Sequence, residues 1–267
     1  MEIRPARAVF AAMLIGLGIV GLIYGNACVI WEQIPKALPH RGLVNDLCAL
    51  IALGCGIGVL LRPTVTIACR VLLPFVLLWL TVLKLPVVFV HFAMEVSWES
   101  FAETAAMAAG AWCLFAAHAG AFEQRHLGFA TGARGIGIAR LLLIAALPMI
   151  GLSHFAYAAF TATLVPGWLP FPLGWVYLTG ACSLAAAAGL AFAVLPRLAA
   201  NLEAVMLWLI TLLVWIPQLA ASPKAQGNWS EFLISVAIAT GAWLVADTYR
   251  DVPWLASGKA ARAVAPD

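Results

Sequence analysis

The sequence predicts an all-α integral membrane protein: eight transmembrane helices built as two parallel four-helix-bundle repeats, with both termini cytoplasmic. Three observations predict it. The 267 residues are 64% hydrophobic and 10% charged, against about 25% charged in soluble domains. Several continuous apolar runs exceed the roughly 18–20 residues that a bilayer-spanning helix needs. Landmark residues recur at a single spacing of 131 positions. Continuous runs exclude a membrane barrel, whose strands alternate over about ten residues.

The first helix, roughly 8–31, follows the basic start MEIRPAR. This resembles a secretory signal, but no small-residue cleavage site closes it, so it reads as an uncleaved span. The second helix, 42–61, follows PKALPHRG, and the third, 67–91, follows LRPT. The fourth and fifth cover 99–119 and 136–159. The sixth, 173–195, follows VPGWLPFP; the seventh covers 199–220; the eighth, 230–249, follows ASPKAQGN. Proline ends helices because it lacks an N–H, and glycine because it accepts backbone angles other residues avoid.

The basic residues orient the chain. Eleven Lys and Arg, from Arg4 to Arg262, fall at the termini and in the even-numbered connections; Lys36, Arg41 and Lys224 fall in the others. That asymmetry places both termini in the cytoplasm of a bacterial-type inner membrane. Trp31, Trp98, Trp168, Trp175 and Trp229 then form an aromatic belt on the outer side. The net charge of +3 is therefore a topology signal, and no basic run points to nucleic acid. Most of the six cysteines lie inside apolar runs as small apolar side chains. Cys28 and Cys48 flank the first outward loop, where a disulfide is left open.

WESF at 98–101 returns as WSEF at 229–232. At the same spacing Pro35 matches Pro166, Gly58 matches Gly189, Pro86 matches Pro217, and Gly110-Ala111-Trp112 matches Gly241-Ala242-Trp243. Four helices per copy is an even number, so the copies are parallel repeats about an axis along the membrane normal. The expected units are 1–131, 132–252 and a cytoplasmic tail, 253–267. Gly21-x-x-x-Gly25 and Gly54-x-x-x-Gly58 offer surfaces for close helix approach.

The second half resembles the DoxX family of small four-helix membrane proteins. ARLLLIAALPMIGLSHFAYAAFTATLVPGWLP (139–170), WVYLTGACSLAAAAGLAF (175–192) and LVWIPQL (213–219) carry the resemblance, over most of 136–249. Cys182 stands where the family often has a glutamate, and Trp215-Ile216-Pro217 where it often has His-Leu-Pro. Ser153-His154-Phe155 keeps the family pattern. The resemblance implies a membrane subunit or accessory module for a redox protein partner, with quinone as the cofactor it suggests.

Ionisable residues inside a span cost about 2.5–3.5 kcal/mol or more at mid-bilayer, so each is a candidate site. Lys84 is expected about 9 Å, Glu103 about 7–8 Å and Asp46 about 6 Å below the outer surface. At the 131 spacing their counterparts are Trp215, Ile234 and Tyr177, so all three charges vanish together from the second copy. A Lys84–Glu103 pair is expected, with Asp46 as the alternative partner; lysine snorkelling and a ligand or proton site are the other readings.

His91, Glu95 and Glu99 surround this cluster. Their four-residue steps would align them on one helix, but HFAMEVSWES crosses the expected turn, so a shared metal-binding face is not expected. In the second copy His154, Tyr157, Trp215 and Gln218, with Tyr177, form a candidate outer pocket for a flat amphiphile, or ordinary interfacial packing. No phosphate-binding loop, nucleophile elbow or nucleotide fingerprint is present, and no catalytic residue is assigned. Two readings remain: a redox-linked membrane subunit, and a binder or carrier of a small amphiphilic molecule in an outward-facing cavity.

Overall fold

The computed structural model describes residues 4–25 and 38–258. Cys28, Trp31, Pro35, Lys36, Lys259 and Arg262 lie outside the described residues, and with them the Cys28–Cys48 bridge. Regular structure among the described residues is helical, apart from one antiparallel bridge between Val194 and Ser257. Eight helical stretches are long and apolar enough to cross a membrane, so the chain is a multi-pass membrane protein.

Helix α1 (Pro5–Tyr24) opens with proline in its first turn, where a missing N–H costs nothing. It stops at Gly25, whose φ of 60° turns the chain out and whose N–H bonds back to Gly21. The span expected to reach residue 31 therefore ends seven residues earlier. Helix α2 (Arg41–Leu60) follows His40, at φ 54°. The third span runs through α3 (Val65–Leu78), a π-helical turn (Trp79–Lys84) and α4 (Leu85–Val90). Pro86 explains the π turn: it offers no N–H to the Val82 carbonyl and its ring crowds that oxygen, so the helix widens ahead of it.

Helix α5 (Glu95–His118) and the short α6 (Ala121–His126) close the first half. Helix α7 (Gly132–Ala156) breaks at Tyr157 into α8 (Ala158–Leu164). Helix α9 (Pro172–Ala191) follows Phe171, at φ 57°. The seventh span comprises α10 (Pro196–Ile210), a second π turn (Thr211–Trp215) ahead of Pro217, and α11 (Ile216–Ala221). Helix α12 (Gln226–Asp247) is the eighth.

Element bounds recur at the 131 spacing. Arg41–Leu60 maps onto Pro172–Ala191 end to end, and Leu85–Val90 onto Ile216–Ala221. His40 and Phe171, both with positive φ, correspond as well. The Trp of each short phrase has the same task. Trp98 donates its indole N–H to the Phe92 carbonyl at 2.8 Å, and Trp229 to the Pro223 carbonyl at 2.9 Å, each fastening the preceding turn.

Helices α5 and α12 occupy the centre: 78% and 72% of their apolar windows are buried, against 17% for Pro196–Ala221. Around them the contacts run α1–α2–α3–α5–α7–α9–α10–α12 and back to α1, with α5 against α12 across the middle. The first helix of each half thus packs on the last helix of the other, and the halves interlock. Close approach of α1 and α2 uses Gly18 and Gly56, each under a backbone carbonyl of its neighbour; Gly25 and Gly54 face open space.

Both described ends lie on one side, where Arg4, Arg7, Asp247 and Arg250 line a common recess. This is the termini side, and the turns before α5 and α12 mark the distal side. On the termini side Arg7 reaches the Val59 carbonyl at 3.0 Å and His118 Nε2 at 3.2 Å. Arg70 meets the Glu123 carboxylate at 2.5 Å, and the Gly120 N–H donates to its other oxygen at 3.0 Å. Burial opposes the charge on Glu123. The backbone N–H donors and the Arg70 guanidinium outweigh it and hold the carboxyl below the usual carboxylate range.

The start of the expected tail is docked. Leu195 N–H bonds to the Ala256 carbonyl at 3.1 Å, Gly258 N–H to Ala193 at 2.8 Å, and the Arg197 guanidinium lies 4.1 Å from the centre of the Trp254 ring.

Candidate functional site: a lipid-side cavity and a distal charge cluster

Two polar arrangements lie within the membrane-spanning region. The first gathers around Lys84 near the distal side. Lys84 is 2% exposed, and its Nζ donates to Ser100 Oγ at 2.7 Å. Among the described residues Glu103 has four charged neighbours: Glu99, Glu231, Lys84 and Glu95. Lys84 and Glu103 are thus within electrostatic reach of each other; the ammonium also bonds Ser100, and the acids outnumber it. Helix α5 begins at Glu95, so Glu95, Glu99 and Glu103 share one face after all. The turn ends four residues earlier than the sequence suggests. His91 alone stays off that face, exposed in the turn.

Asp46 does not join. It is exposed on α2, because it is the adjacent Asn45 that turns inward, donating its amide to the Gly25 carbonyl at 3.3 Å. Neighbouring helical positions point about 100° apart. Glu231, from the second copy of the phrase, takes a place no spacing argument gave it. Among the described residues no group of three or more His, Cys, Asp or Glu side chains is arranged to hold a metal.

The expected outer pocket does not assemble as drawn. Tyr157 turns toward the first half, where its hydroxyl accepts the Val96 N–H at 3.1 Å at the start of α5. Tyr177 stacks on Phe155, with ring centres 5.7 Å apart. Trp215 sits in the second π turn, and the Gln218 carbonyl accepts from Asn228 at 2.9 Å. Glu99 lies beside Ser153. Of these residues His154 lines the large cavity.

That cavity, about 1050 Å³, is the second arrangement. It lies between α9 and α10, under the 165–169 turn. The sequence makes it by contrast in size. Helix α9 presents Cys182, Ala185, Ala186 and Gly189 to it, while α10 presents Leu202, Met206 and Leu209. Small residues at helical spacing open a slot that larger ones opposite cannot fill.

Its walls are apolar except at His154, Thr179, Cys182 and Glu203. His154 Nδ1 lies 2.8 Å from Thr179 Oγ1 and 3.4 Å from the Val176 carbonyl. The Thr179 hydroxyl donates to backbone carbonyls at 3.0 Å, so it accepts from the ring. This network assigns a proton to Nδ1. One turn further along α9, Ser183 Oγ donates to Glu203 Oε1 at 2.8 Å. Glu203 is 2% exposed, and its Oε2 is buried with no hydrogen-bond partner.

Sequence reasoning missed Glu203. With the seventh helix drawn from residue 199, it sits in the first turn and reads as an interfacial charge. The helix starts at Pro196, which sets Glu203 seven residues in, about 10 Å deep. The rule that singled out Lys84 would then have singled out Glu203.

A family model described only as Domain of unknown function (DUF8561) matches residues 143–231, about a third of the chain. The matched segment contains α9, α10 and the cavity. No curated protein and no solved structure matches the chain.

Proposed function

We propose that the chain is a binder or carrier of a small amphiphilic molecule, which it holds in the cavity between α9 and α10. The observation that carries this is the cavity itself: about 1050 Å³, apolar along its length, with polar groups at few points. Ligand sites are built this way, with apolar walls for affinity and sparse polar groups for orientation. The slot is lined from Leu198 on α10 to Val214 in the second π turn, about 24 Å by helical rise, a length suited to an extended apolar chain.

The same reading takes the chain as a tandem duplication of a DoxX-like four-helix unit in a bacterial-type inner membrane, with both termini cytoplasmic. The recurrence of helix bounds at 131 residues supports the duplication. The excess of Lys and Arg on the termini side supports the orientation. The cavity belongs to the second copy: His154, Thr179, Ser183 and Glu203 have Ile23, Cys48, Ala52 and Leu72 as counterparts.

A fluorescent long-chain probe titrated into the detergent-purified full chain tests this. Saturable binding that Ala185→Trp removes supports the proposal, since that residue lines the slot. Identical, non-saturating uptake by both proteins would reject it. Copurification of a soluble redox protein, with no probe binding, would favour the redox-subunit reading instead.

A further inference from the structure

Glu203 reaches the cavity with one carboxyl oxygen satisfied and the other not. Ser183 occupies Oε1 at 2.8 Å, and Oε2 is buried without a partner. A buried polar atom left without a hydrogen bond is costly, and native proteins seldom keep one without a reason. Asn201, one turn beyond Arg197, is no substitute donor, because its amide bonds to the Arg197 carbonyl at 2.7 Å. Thr179 and His154 are engaged with each other one turn nearer the distal side.

We infer that the cavity selects amphiphiles whose head carries a hydroxyl group, and that the Glu203 carboxyl, turning its occluded Oε2 to the cavity wall, is the group that reads it. The inference rests on the cavity being the binding site. A hydroxyl is the head that fits a carboxyl in both of its forms. It donates to a carboxylate oxygen and accepts from a carboxylic acid O–H. An ammonium fits only the ionised form, and an ether oxygen fits only the protonated one.

The orientation follows from where the slot is closed. Val194 and Leu195 line its termini-side end, and the docked chain segment at Ala256 and Ser257 backs them. The head therefore sits at Glu203, and the apolar chain runs toward Trp168 and Trp175 at the distal end. Eleven residues separate Glu203 from Val214, about 16 Å of helix for the chain to lie along. A free long-chain alcohol and a diacylglycerol share this head chemistry.

Photo-crosslinking to the full chain in detergent tests it, with four probes: a photoreactive long-chain primary alcohol, its methyl ether, the matching amine and a diacylglycerol. At an alkaline pH that ionises the carboxyl, wild type should prefer the alcohol to the ether by about tenfold, the worth of one hydrogen bond of ordinary strength. Glu203→Leu should bring the alcohol down to the level of the ether, and Glu203→Gln should keep part of the preference. A diacylglycerol labelled more strongly than the alcohol supports the inference with a membrane lipid as the source; the reverse supports it with a free alcohol. Equal labelling by alcohol and ether in wild type, with both lost in Ala185→Trp, overturns the hydroxyl assignment and leaves the cavity reading intact. Preference for the amine over the alcohol overturns it too. Labelling unaffected by Ala185→Trp removes the cavity reading and this inference together.

Discussion

Gly110 and Gly241 face each other where α5 crosses α12, so closely that a Cβ on Gly110 would lie 2.9 Å from the Gly241 Cα. The two residues are 131 positions apart, and the central helix pair meets at matched points of the two halves. A Cβ on Gly241 would strike the Ala106 carbonyl oxygen, which is backbone and cannot swing aside. Gly241→Ala should therefore lower stability by about 1–3 kcal/mol, the usual cost of overpacking a close-packed interior. Reversible unfolding in detergent would measure it. Gly54→Ala, at a glycine with open space around it, serves as the control and should be near neutral.

Lys84 should matter more than Glu103. Among the described residues the ammonium is the one cation beside Glu103, and its other three charged neighbours are carboxylates. Lys84→Met removes the charge that offsets several acids, a loss of the kind that costs about 3–5 kcal/mol when one member of a buried pair is deleted. Glu103→Gln removes one acid of four and relieves repulsion with its neighbours. Unfolding of both variants at neutral pH should rank Lys84→Met as the more damaged. The opposite ranking would mean that Lys84 serves Glu103 alone.

The Arg70–Glu123 pair should make the termini side acid-sensitive. The Glu123 carboxyl is held below its usual range, so the unfolded chain takes up its proton first as pH falls. Its contribution is thus fully present above the ordinary carboxylate value of 4.5 and is lost as pH falls through the depressed one. Glu123→Gln should be less stable than wild type at pH 7 and should converge with it in strong acid. Melting curves across that range check it, and a difference that stays constant in acid would refute it.

Both ends of the chain should be shielded from the outside. A membrane-impermeant thiol reagent applied to intact cells should label Lys224→Cys, in the turn before α12, above the wild-type background. It should not label Leu255→Cys until the cells are opened. The reverse pattern would invert the orientation drawn from the basic residues.

The spans were legible because each is a continuous apolar run closed by Pro, Gly or charge, and the 131 spacing because WESF and WSEF fasten equivalent turns through Trp98 and Trp229. What sequence could not show is which residues meet across helices. Glu231 joins the acids of α5 only because α12 lies against that helix. Tyr157 leaves the expected pocket because the break it occupies turns it toward Val96. Glu203 was hidden by a three-residue error in where α10 begins, enough to turn a membrane-buried carboxyl into an apparent surface one. The cavity itself comes from small residues on α9 facing large ones on α10, a pairing that no single-helix pattern records.

If the slot beside Glu203 holds an amphiphile, a native mass spectrum of the purified full chain should carry a discrete adduct of small-molecule mass on wild type, absent from Ala185→Trp under the same release conditions. A wild-type spectrum without an adduct, or an adduct equally present on Ala185→Trp, would contradict it.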